Sequence, residues 1–131
     1  MYIRFVRLKV VDGMRAREGF FCAAYELKRH PEVDMYTRNY VEELLSWFEK
    51  ELEIPGSFTR SKLNKLHRNN SFGISWFKPT TKIYLAKAFE LTALLDQHGY
   101  PIEVLKSARP GYVVYEDEVQ IVAEPFADTV V

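Results

Sequence analysis

Cysteine is almost missing from this chain: Cys22 is the only one in 131 residues. That excludes an intrachain disulfide framework and fits a reducing compartment. Long apolar runs are missing too, and none approaches the ~20 residues a membrane-spanning helix needs. The opening residues, Met1-Tyr2-Ile3-Arg4-Phe5, lack the apolar core and small-residue cleavage site of a signal peptide. The expectation is a cytoplasmic protein with no membrane contact. Proline and glycine, six each, are scattered, which leaves no linker, repeat or low-complexity tract. The glycines are isolated, so there is no phosphate-cradling loop, and no GxSxG, HExxH or CxxC pattern occurs. His30, His67 and His98 share no ligand spacing. Neither a metal nor a cofactor is expected.

Net charge is lacking as well, with 18 basic and 18 acidic residues, but the charges are sorted. The 36 positions between Glu53 and Glu90 contain no acidic residue and seven basic ones: Arg60, Lys62, Lys65, Arg68, Lys78, Lys82 and Lys87. Eleven of the 18 basic residues therefore lie elsewhere, among all 18 acidic ones. A neutral chain sorted in this way has a local electrostatic footprint that its overall charge hides.

What is present is ample core material. Apolar residues make up 47% and aromatics 15%, enough for one domain spanning 1–131 to fold without a metal or disulfide staple. Residues 2–11, rich in β-branched and aromatic side chains, read as a strand. Its alternation breaks at Phe5-Val6, which fits either a bulge there or a strand buried on both faces. Helices are expected over 14–29, ended by His30-Pro31, and over 34–53, with Val41, Leu44, Leu45, Phe48 and Leu52 inward. A polar irregular stretch over 55–72 follows, then a short strand at 73–77. A third helix over 80–98 closes with Gly99 at C′ and Pro101 beyond. Strands over 102–107, 112–116 and 119–123 read as a meander, with Arg109-Pro110-Gly111 as a type II turn and Glu116-Asp117-Glu118 as a solvated hairpin turn. The order β-α-α-β-α-β-β-β predicts an α+β fold: a roughly five-stranded, mostly antiparallel sheet with three helices on one face.

The segments Ile74-Ser75-Trp76-Phe77-Lys78, Arg109-Pro110-Gly111-Tyr112-Val113-Val114-Tyr115-Glu116-Asp117-Glu118 and Ala123-Glu124-Pro125-Phe126-Ala127-Asp128 resemble a family of small bacterial proteins of unknown function. Phe21-Ala23-Ala24-Tyr25-Glu26-Leu27 adds a weaker match. The resemblance implies a bacterial, soluble, single-domain protein and attaches no activity, substrate or catalytic residue.

The acid-free stretch holds the candidate chemistry. Phosphate binding needs clustered cations, and aromatic faces let a base stack. Arg60, Lys62, Lys65, His67 and Arg68 fall within nine positions, with Trp76 and Lys78 nearby. These seven residues are the anion-binding candidates of segment 58–87. Their partner would be nucleic acid, a nucleotide or an acidic protein surface. Against this, the same cations have the chain's own acids to pair with, and adjacent strand residues Trp76 and Phe77 point to opposite faces, so at least one faces inward. Two other readings stand beside it. The acidic and basic blocks suit a homo-oligomer or protein-interaction module. An enzyme acting on a phosphorylated small molecule would use His67 as acid or base; no catalytic residue is otherwise indicated. His30 and His98 fall at helix C-termini, where a cation complements the dipole, and Cys22 is expected buried and inert.

Overall fold

The computed structural model describes residues 1–53 and 73–131. In chain order its elements are β1 (Tyr2–Val10), β2 (Arg17–Gly19), α1 (Phe20–Arg29), α2 (Met35–Glu51), β3 (Ile74–Phe77), α3 (Lys82–Gln97), β4 (Ile102–Ser107), β5 (Tyr112–Glu116) and β6 (Gln120–Glu124). Every strand pair is antiparallel. The fold is α+β with the expected order, save that β2 precedes α1.

β1 organises the sheet. β4 runs along one of its edges in unbroken register, from Tyr2 opposite Ser107 to Arg7 opposite Ile102. A strand has only two edges, so its other partners share the second. There Ile3 pairs with Phe77 of β3, while Val6 and Val10 pair with Gly19 and Arg17 of β2. β3 continues through β6 to β5. The unbroken β4 register excludes a bulge at Phe5-Val6. The alternation breaks because β1 is buried on both faces.

On one face, Phe5 and Phe77 pack under all three helices with Phe20, Leu27, Leu44, Phe48, Leu91 and Leu95. Phe5 stacks on Phe20 at 5.0 Å and meets the edges of Phe77 and Phe89, and such contacts contribute about 0.5–1.5 kcal/mol each beyond burial. On the other face, Val6, Ile74, Trp76, Leu105, Ile121 and Ala123 form a second cluster, closed by Ala16 and Val131.

The closing strands are not a meander. β5 and β6 form a hairpin, but β4 pairs with β1 at the opposite edge of the sheet. Only residues 108–111 join β4 to β5. Such a link reaches about 17–18 Å when fully extended, whereas four inter-strand steps of a flat sheet span about 19 Å. The sheet must therefore curl, and it curls around the second cluster. Gly111 has φ 156° rather than the value near +80° that a type II turn requires.

The helix ends follow their sequence signals. Asp34 caps α2, its side chain accepting from the Thr37 N–H at 2.8 Å and the Thr37 hydroxyl at 2.7 Å. α3 ends in a Schellman motif: Tyr100 N–H donates to the Leu95 carbonyl, Gly99 N–H donates to that of Asp96, and Gly99 has φ 85°. α1 is shorter than expected, because the outer half of β1 captures residues 17–19 as a strand before the helix begins at Phe20.

Candidate functional site

Where β2 and β3 divide one edge of β1, they leave a gap beside Arg4 and Phe5. A cavity of about 610 Å³ opens there, bordered by those two strands, α1, α2 and β1. This lies within the range of small-molecule sites, roughly 300–1,000 Å³. Its walls are chiefly aromatic and apolar: Phe5, Phe20, Phe21, Phe48, Ile74 and Trp76, with Leu45 and Phe77.

Arg4 is the unusual wall residue. Its Nη2 donates to the Arg17 carbonyl at 2.7 Å, while its Nη1 is buried and has no partner among the described residues. Among the described residues no carboxylate pairs with it, although its neighbours are paired. Arg17 bonds Glu103, and Arg7 bonds Glu18 and Glu26. Burial first, and the Arg17 charge second, bring the Arg4 guanidinium from 12.5 down to about 10, so it is still cationic at neutral pH. A buried cation without a counter-ion costs several kcal/mol. The Trp76 side chain, 1% exposed, adds a second orphan: its Nε1 is buried without a partner among the described residues.

Cys22 also borders the cavity and is exposed, not buried as expected. Partial desolvation first, then Glu18, push its thiol up, so it stays protonated and poorly nucleophilic. Across from it the Tyr25 hydroxyl donates to Glu49. That bond, ahead of partial burial, holds the tyrosine proton above its ordinary range.

The sequence candidates fall differently. Arg60, Lys62, Lys65, His67 and Arg68 lie outside the described residues, as does the irregular stretch over 55–72 apart from its flanks. Trp76 and Phe77 are both buried, one on each face of the sheet, so Trp76 offers no exposed surface for a stacked base. Lys78 is paired with Glu116 at 2.6 Å, which raises its pKa, and Lys87 lies 3.9 Å from Glu90. His30 and His98 are the C-cap residues of α1 and α3. His30 Nδ1 accepts from the Glu32 N–H, so this nitrogen is engaged as an acceptor. The solvated acidic turn is in fact ordered by Asp117, which accepts from the Val119 and Gln120 N–H groups and the Tyr115 hydroxyl.

Sequence reasoning passed over Arg4 altogether. The available signal was a lone charge between Ile3 and Phe5 in a strand whose apolar residues occupy both parities.

No family model matches this chain, and no curated protein or solved structure matches it. The likeness drawn from Ile74–Lys78 and the closing segments therefore rests on those residues alone.

Proposed function

We propose that this protein binds a small molecule with an apolar body and an anionic group in the cavity between β2 and β3. The single observation that carries the reading is Arg4: a half-buried cation whose Nη1 donor is buried without a partner among the described residues, set in an aromatic wall. An incoming anion would neutralise that charge and satisfy that donor, and a low-dielectric wall strengthens both effects. The reading keeps an anionic partner but moves the binding group from the basic segment to Arg4. Of the described cations of that segment, Lys78 and Lys87 already lie against carboxylates, and Lys82 is exposed near the start of α3.

The test is a calorimetric titration of the full chain with decanoate and with decanol. Decanoate should bind and raise the thermal midpoint, by about 2.7 kcal/mol of added stability at a hundredfold excess over Kd. Equal binding of both, or of neither, removes Arg4 from the account.

A second reading, self-association, is favoured by α3. Its outward side carries Ala86 and Ala93, with Ile83 (67% exposed) and Phe89 (49% exposed) beside them. Lys82 and Asp96 lie exposed near its two ends. A second copy packed antiparallel on this helix would set Lys82 against Asp96 at both ends. Sedimentation giving a monomer at high concentration, at low and high salt alike, rules this out.

A further inference from the structure

We infer that the anionic group is a monocarboxylate, held jointly by Arg4 Nη1 and Trp76 Nε1. This rests on the cavity reading above and narrows it to one chemical class.

The two strands make the pair. Ile3 lies opposite Phe77 in antiparallel β1 and β3, and Arg4 and Trp76 adjoin that bridge, one on each strand. Both border the cavity, and both hold a buried nitrogen without a partner among the described residues. They cannot satisfy each other, because guanidinium and indole N–H groups only donate. A carboxylate entering the cavity would supply an acceptor to each, and two donors from adjacent strands match its two oxygens.

The rest of the guanidinium restricts the choice further. Nη2 is taken by the Arg17 carbonyl, so Arg4 offers the Nη1 side and Trp76 supplies the second donor. Charge gives the same answer. Arg4 has no directly paired carboxylate among the described residues, whereas Arg17 is engaged with Glu103. Asp12, Glu18, Glu49 and Glu53 border the same cavity and would repel a second negative charge. A phosphomonoester carries about −1.5 to −2 at pH 7 and has three acceptor oxygens. It would leave excess charge and one oxygen without a donor, and a buried unsatisfied acceptor is costly. The apolar body then lies along the apolar wall of the cavity.

The experiment compares decanoate, decyl phosphate and decanol by calorimetry on the full chain at pH 7.5, with Arg4→Gln and Trp76→Phe alongside. Decanoate should bind at least about tenfold more tightly than the other two, as one charged hydrogen bond implies. Trp76→Phe should weaken decanoate about tenfold and leave decanol unchanged; Arg4→Gln should reduce decanoate to the decanol level. Because Trp76→Phe alters a core position, the wild-type indole N–H resonance of Trp76 provides a second readout, and it should shift on adding decanoate. Decyl phosphate binding as tightly as decanoate, or an indole resonance that stays put, overturns the carboxylate inference while leaving an Arg4-dependent anion site intact. Failure of all three probes to bind overturns the cavity reading itself.

Discussion

Arg4 stays cationic well above neutral pH, and the described residues offer it no carboxylate. Such a charge lowers the stability of the ligand-free protein. Its folded pKa lies below the unfolded one, so the cost is present throughout neutral pH and is relieved only as pH rises through about 10. Arg4→Met removes the charge and keeps the apolar stem. It is expected to stabilise the ligand-free protein by about 1–2 kcal/mol, or roughly 3–8 °C in thermal midpoint, while abolishing decanoate binding. A lower midpoint would make Arg4 a structural residue through its bond to the Arg17 carbonyl. Tyr40 shows the opposite sign. Its hydroxyl donates to Glu90, and that bond first, then burial and nearby carboxylate charge, push it up to about 12. The stabilisation is complete below the ordinary tyrosine pKa of about 10 and is lost as pH rises through about 12. In an ultraviolet titration Tyr40→Phe should remove one late-ionising phenol; an unchanged late phase would mean the bond is not made in solution.

At the scale of elements, local signals were legible where the chain makes local bonds. His30-Pro31 and Gly99 with Pro101 mark helix ends that the structure places within a few residues of the expected ones. β2 was not legible, because Arg17-Glu18-Gly19 has no strand pattern of its own and is ordered only by pairing with β1. The turn between β5 and β6 was read as solvated acids, yet Asp117 holds it together. Desolvation alone would raise the Asp117 pKa, but the N–H groups of Gln120 and Val119 and the Tyr115 hydroxyl outweigh it and lower the net value. Its stabilisation is therefore present above the unfolded aspartate pKa of about 3.9 and lost as pH falls through the lower folded value. Asp117→Ala should cost about 1–2 kcal/mol at pH 7 and much less near pH 2. An equal cost at both pH values would show that the carboxylate charge plays no part.

Over the whole molecule, the features hardest to read were those made by distant pairings. The strands over 102–107 and 112–116 were legible, but their partners were not. A short Pro-Gly connection suggested adjacent strands, whereas the chain passes from the β1 edge to the β6 edge of a curled sheet. The cavity is hidden for the same reason: it exists because β2 and β3 share one edge of β1, and it unites Arg4 with Trp76 from distant points of the chain. The close approach of β5 to β6 has a test in Gly111, which enters β5 against the end of β6. A Cβ built at Gly111 would lie 1.9 Å from the Glu124 carbonyl oxygen and 2.9 Å from Pro125 Cα. Both are backbone atoms, so no side-chain rotation relieves the overlap, and β5 would have to leave β6 or the connection would have to lengthen. Gly111→Ala should therefore cost about 2–3 kcal/mol or more. Gly99→Ala is the matched control, since Gly99 has φ 85° with nothing within 4 Å of its added Cβ and should cost only the left-handed strain of about 1–2 kcal/mol. Urea unfolding of both variants separates the two effects. A midpoint for Gly111→Ala at or above that of Gly99→Ala would mean that β5 does not approach Glu124 this closely.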